Sequence, residues 1–217
     1  MYKRHDLVWL TPEGWQAALA ADPARDAVFT YWQREEWPVV VRRCDPDSDP
    51  AHEVCLGIAL PPDAGGGKQR IALRAALQHI ERATSPLSLK AARPAVPAEW
   101  RPGYTELQRL SAGLDLRVFG SLAWQALTGL RCLSPSSDID ILLRPLSQQQ
   151  LQAGVALLSG PAHGLPLDGE IMFPTGDAVS WKEWATAGAA RARVLVKGPD
   201  AVRLADPESL LATLRPA

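Results

Sequence analysis

The stretch VFGSLAWQALTGLRCLSPSSDIDILLR, residues 118–144, decides the fold. It reads as a strand, a tight turn, a helix and a second strand. Val118 and Phe119 form a short apolar run that stops at Gly120, as a buried strand closing in a turn does. Leu122, Ala126 and Leu130, with Ala123 and Leu127, recur at helical spacing, and Gly129 supplies a stop signal. In SDIDILL the period drops to two, so Asp138 and Asp140 fall on one face of a strand and Ile139 and Ile141 on the other.

Two carboxylates on one face of a strand repel each other unless positive charge lies between them. Hard oxygen ligands suit a divalent cation such as magnesium. The Gly120-Ser121 turn opening a helix offers N–H groups and a hydroxyl, which suit a phosphate. Metal plus phosphate points to transfer at phosphorus. For an isolated D-x-D, solvated acids on an edge strand would be the better reading. The Gly-Ser turn ahead of the acids and the apolar residues flanking each favour the site.

Gly120-Ser121 followed by Asp138-Ile139-Asp140 resembles the signature of the nucleotidyltransferase superfamily, with the loop 132–137 lengthening the spacer. The longer phrase FGSLAWQALTGL…SDIDILLRP is similar to one branch, the phosphoribosyl-dephospho-CoA transferases, or malonate decarboxylase holo-[acyl-carrier-protein] synthases. The likeness continues in LDGEIMFP, AVSWKEW and RVLVKG and begins in HDLVWL, so it covers most of the chain, most densely after residue 117. The resemblance implies an α+β fold with a nucleotidyltransferase-like mixed sheet and flanking helices, preceded by a small α+β N-terminal domain. It implies two magnesium ions held by Asp138 and Asp140, with a third carboxylate from Asp168 or Glu170. All four acids are therefore candidate catalytic and metal-binding residues. Gly120 and Ser121 would hold the triphosphate, and Lys182 and Lys197 are candidates to neutralise it. The implied donor is triphosphoribosyl-dephospho-CoA and the implied acceptor a serine of the apo acyl carrier protein subunit of malonate decarboxylase, with pyrophosphate released. Two other readings stand beside this one: a nucleotidyltransferase with a different acceptor, and a non-catalytic module that binds a carrier or nucleotide.

Working outward, the 217 residues suffice for one large domain or two small ones. A formal net charge of −1 gives no reason to expect nucleic acid as a partner. Cys44, Cys55 and Cys132 form no C-x-x-C pair, and an odd count of three makes no disulfide framework. MYKRHDLVWL lacks the apolar core of a signal peptide, and no run approaches a membrane span of about 20 residues. A soluble cytoplasmic protein with reduced thiols is expected.

Toward the N-terminus, Thr11-Pro12-Glu13 reads as the start of a helix over residues 15–21. His5 and Asp6 read as loop anchors in preference to an acid-base or ligand pair, for which no partner is identifiable. WPVVVRR and VCLGIAL read as strands, separated by the acidic loop CDPDSDPAHE, which lacks the Gly and Glu of a calcium loop. Arg42 and Arg43 end the first strand, either as phosphate or carrier ligands or as solvated side chains. Gly65-Gly66-Gly67-Lys68 fails the Walker pattern, because Pro62 and Gln69 stand where Gly and Ser/Thr are needed. It reads as a turn, with Lys68 and Arg70 available to an anion. RIALR is a strand, and residues 75–83 read as helix. The domain boundaries expected are 1–84, a Pro-rich linker at 85–103, and a catalytic domain at 104–217.

Toward the C-terminus, residues 104–112 read as helix, Ser147 caps a helix over 148–158, 161–166 is a loop, and LDGEIMF is a strand with Asp168 and Glu170 on one face. AVSWKEW starts as strand and becomes helix near Lys182. Trp181 and Trp184, at i and i+3, serve either base stacking or the core. RVLVK is another strand, and residues 209–214 close the chain as helix.

Overall fold

The computed structural model describes residues 2–63, 65–160, 164–190 and 192–216. The chain divides into two compact units, Met1–Pro86 and Leu87–Ala217. Among the described residues no helix is long and apolar enough to cross a membrane.

The first unit contains β1 (Leu7–Leu10), α1 (Pro12–Ala21), α2 (Asp26–Arg34), β2 (Val39–Val41), β3 (Glu53–Ala59), β4 (Arg70–Ala76) and β5 (Ile80–Thr84). Its sheet runs β4-β3-β2-β1-β5, with every neighbouring pair antiparallel. Thr11 caps α1 by accepting a hydrogen bond from the Gly14 amide at 3.2 Å, and Pro12 occupies the first turn, where its missing N–H costs nothing. α2 buries Phe29 and Trp32, three positions apart on one face. The Trp32 indole donates to the Pro38 carbonyl at 2.9 Å, which ties the end of α2 to the start of β2.

Residues 75–83 are not a helix. β4 runs on to Ala76, a 3-10 turn covers Leu77–His79, and β5 follows. Ala, Leu, Gln, Glu and Arg favour a helix locally, but β5 pairs with β1, Val8 opposite Ala83 and Leu7 opposite Thr84. The ladder gained on the free edge of β1 overrides a propensity of only a few tenths of a kcal/mol per residue, roughly. In the loop after β2, Arg42 forks onto Asp45 at 2.5 and 2.6 Å. Arg74 reaches Asp45, Asp47 and Glu53 from β4. Arg42 is thus spoken for by Asp45. In the glycine turn, the Gly65 and Gly67 amides both donate to Asp63 Oδ1, so this nest is filled by the chain's own carboxylate.

The second unit opens with β6 (Leu87–Ser88) and α3 (Leu89–Ala92), then 3-10 turns at Arg93–Ala95 and Ala98–Trp100, and α4 (Arg101–Leu110). Pro94, Pro97 and Pro102 therefore start turns or a helix inside this unit, and Pro86 ends the first. Pro94 and Pro102 sit in first-turn positions, and Leu89, Ala92 and Val96 are buried among them. Next come β7 (Leu116–Phe119), α5 (Gly120–Thr128), β8 (Ile139–Leu143), α6 (Gln148–Ser159) and β9 (Leu167–Met172). The remainder is β10 (Ala178–Ser180), α7 (Trp181–Ala190), β11 (Val194–Lys197), β12 (Val202–Ala205) and α8 (Pro207–Leu211). The sheet order is β12-β11-β10-β9-β8-β7-β6. β8 and β9 are parallel, joined through α6, and the other neighbours are antiparallel, so the sheet is mixed. Of the loop at 161–166, residues 161–163 lie outside the described residues.

Strand alternation sorts the two faces of this sheet. Leu116, Val118, Ile139, Ile141, Leu143, Leu167, Ile171, Val179, Val194 and Val196 enter the main core with residues of the helices. The opposite face carries Phe119, Asp140, Leu142, Met172 and Ala178, of which Phe119, Leu142, Met172 and Ala178 form a small separate cluster. The polar residues of β8 and β9 are thus on the face away from the main core.

Candidate active site

The site is built where β7 turns into α5 beside β8. Gly120 has φ +65°, a left-handed conformation that side chains rarely adopt. The carboxylate of Asp140 lies so close that a Cβ on Gly120 would meet its Oδ2 at 1.8 Å and its Cγ at 2.7 Å. Only glycine lets the turn and the acid occupy neighbouring space. Gly120 and Ser121 are the first residues of α5, where the leading amides of a helix point out of its N-terminal end. The Asp140 carboxylate thus sits at the positive end of the helix dipole.

Register places the acids in rows across the sheet. Phe119 faces Asp140 between β7 and β8, and Asp140 faces Asp168 between β8 and β9. One row on, Leu142 faces Glu170, which in turn faces Ser180. Asp138 lies one residue before β8, and strand alternation gives it the side of Asp140. Asp138, Asp140 and Asp168 are all half-buried.

The two acids of β9 have different surroundings. Glu170 is 5% exposed and accepts from Lys197 Nζ at 2.7 Å. Asp168 Oδ1 accepts the Gly169 amide at 2.8 Å and lies 3.5 Å from Lys182 Nζ. The Lys182 ammonium also lies 5.6 Å from the centroid of the Trp181 ring. Lys182 and Lys197, both read from sequence as phosphate ligands, thus meet the two acids of β9, one each. Sequence gave no sign of this, because Lys197 reaches Glu170 only through the β9-β10-β11 order.

Among the described residues, no group of three or more His, Cys, Asp or Glu side chains is arranged to hold a metal ion by itself. The donor set nonetheless suits magnesium, which is held by one or two carboxylates and completes its octahedron with water and substrate phosphate. Asp140 and Asp168 supply two such carboxylates beside the helix amides that a phosphate would use. Glu170 already has an ammonium against it.

Other sequence candidates lie elsewhere. Trp181 is 8% exposed and belongs to the main core, and Trp184 packs against that core with its ring 5.2 Å from Phe173. Asp6 accepts the Lys3 amide at 2.9 Å, and its carbonyl accepts the Val41 amide, so it anchors the start of β1.

Residues 3–86 match the family model described as phosphoribosyl-dephospho-CoA transferase MdcG N-terminal domain, and residues 87–208 match the C-terminal domain of the same family. The chain belongs to this transferase family. The boundary between the two family domains coincides with the division between the two units of the fold. Among the family's members, a phosphoribosyl-dephospho-CoA transferase of Bradyrhizobium diazoefficiens is 40% identical over 209 residues, covering 94% of this chain and 89% of its own. One of Xanthomonas euvesicatoria is 41% identical over 209 residues, covering 94% of each chain. One of Pseudomonas fluorescens is 34% identical over 211 residues, covering 92% of this chain and 90% of its own. No solved structure matches the chain.

Proposed function

We propose that the protein transfers the phosphoribosyl-dephospho-CoA group from triphosphoribosyl-dephospho-CoA to a serine of the apo acyl carrier subunit of malonate decarboxylase, in the cytoplasm, releasing pyrophosphate. The second unit is read as a nucleotidyltransferase-like catalytic domain. Family membership supports the transferred group. The observation that carries the chemistry is the carboxylate row Asp140–Asp168 set against Gly120 at the start of α5.

In this reading the Gly120 and Ser121 amides and the Ser121 hydroxyl hold the triphosphate, which suits the dipole of α5. Asp140 and Asp168, with Asp138 on the same side of β8, would be the residues to hold magnesium, and the ion would neutralise the phosphates and make the attacking hydroxyl more acidic. Asp168 takes the third-carboxylate role and Glu170 does not, because Glu170 is buried against Lys197. The acceptor oxygen forms a bond to the α-phosphorus as the bond to pyrophosphate breaks, and the hydroxyl proton passes to a carboxylate of the strand pair.

The test is mass spectrometry of the apo carrier after incubation with the protein, magnesium and the donor. A mass gain equal to the phosphoribosyl-dephospho-CoA arm, with one pyrophosphate released per carrier, is expected. Transfer of AMP from ATP without need for the CoA-derived donor would replace this reading with another nucleotidyltransferase activity.

A further inference from the structure

Two lysines meet two acids on β9, and the pairs differ in kind. Lys197 is 36% exposed at its side chain and Glu170 7%, at 2.7 Å, which is a direct, largely buried hydrogen-bonded pair. Lys182 is 53% exposed at its side chain and Asp168 41%, and their 3.5 Å separation is longer than a good charged hydrogen bond. Asp168 Oδ1 already accepts the Gly169 amide. Among the described residues, no hydrogen bond reaches Asp168 Oδ2. The first pair is built in, and the second is loose.

We infer that Lys182 is an exchangeable counter-ion of the site: it neutralises Asp168 while no divalent cation is bound, and moves to the polyphosphate when one arrives. The inference rests on the proposed metal role of Asp168. Geometry favours the exchange. Lys182 is the second residue of α7, directly after Trp181, so its flexible stem pivots at the edge of the acidic row. In the same position the ammonium lies 5.6 Å from the centroid of the largely buried Trp181 ring, a weak contact beside the one to Asp168. An exposed ion pair of this kind is weak, so a divalent cation displaces it readily. Lys197 has no such freedom, and it keeps Glu170 from competing for the metal. Lys182 on α7 and Lys197 on β11 thus divide the work between substrate and scaffold.

The exchange makes two affinities move in opposite directions, which a purely structural lysine cannot do. Mn²⁺ binding to the ligand-free protein is measured by the EPR signal of free Mn²⁺, and binding of magnesium tripolyphosphate by calorimetry. Lys182→Met is expected to bind Mn²⁺ about two- to five-fold more tightly, since it removes a competing cation worth a surface ion pair. The same variant should bind magnesium tripolyphosphate about five-fold or more weakly, by loss of a charged phosphate contact. Lys182→Arg keeps the charge and should return both affinities toward wild type. Unchanged or weaker Mn²⁺ binding by Lys182→Met overturns the inference, provided that Asp168→Asn abolishes wild-type binding. Mn²⁺ binding that is absent, or indifferent to Asp168→Asn, overturns the metal role of Asp168 itself and the inference with it.

Discussion

Replacing Gly120 by alanine separates the turn from the acid. The added Cβ would lie 1.8 Å from Asp140 Oδ2, against ordinary contact at 3.4 Å, so the carboxylate must retreat by about 1.6 Å. Alanine at φ +65° costs about 1–2 kcal/mol in backbone strain, and forcing Asp140 off its rotamer adds about 1 kcal/mol. A total loss of about 2–3 kcal/mol is expected by urea denaturation. The effect on transfer should exceed this, because a misplacement of about 1 Å at a reacting centre costs roughly 10²-fold. Gly129 provides the control. It ends α5 at φ +70°, with nothing within 4 Å of an added Cβ. Gly129→Ala therefore carries the strain of about 1–2 kcal/mol without the collision, and should keep turnover within about two-fold of wild type once folded. The assay is the initial rate of carrier modification at saturating donor, on protein shown to be folded by circular dichroism. Equal turnover in the two variants would refute the claim that Asp140 must sit against the turn.

Asp138→Asn and Asp140→Asn should each give folded protein with transfer reduced by about 10³-fold or more, since each removes a carboxylate of the proposed metal site. Near-normal turnover by either would remove the metal-site reading. Lys197→Met withdraws an ammonium from a carboxylate that is only 5% exposed, and should destabilise the second unit by about 2 kcal/mol. Adding Glu170→Gln should recover most of that loss in urea titrations. Acid stability should depend on Asp45. The guanidiniums of Arg42 and Arg74 hold its carboxyl below the usual carboxylate range. A lowered native value means that its contribution is complete above the unfolded-state value of about 4 and is lost as pH falls through the native value. Urea midpoints measured from pH 7 down to pH 3 should fall less steeply for Asp45→Asn than for wild type.

The strand-turn-helix-strand unit around Gly120 is legible in sequence because its hydrophobic period changes twice within a few residues, with Gly120 and Gly129 marking the breaks. The membership of Asp138, Asp140, Asp168 and Glu170 on shared strand faces follows from alternation alone. Residues 75–83 mislead because their composition is helical while their place is the edge of β1. The prolines of 85–103 mislead because a proline that starts a turn and one that stiffens a linker look alike until Leu89, Ala92 and Val96 are seen to be buried. α2 escapes notice because no side chain caps its start, and β12 because Val202, Arg203 and Leu204 are all exposed and show no alternation. The lysine–acid pairs depend on strand order, which no local pattern encodes.

Whether the carboxylates of β8 and β9 work through a metal beside Gly120 is best tested by locating Mn²⁺ from its anomalous scattering in crystals grown with Mn²⁺ and pyrophosphate. A peak bound by Asp140 and Asp168, with phosphate oxygens on the Gly120 and Ser121 amides, is the expected result. A peak on Glu170 with Lys197 displaced, or phosphate bound away from the start of α5, would contradict it.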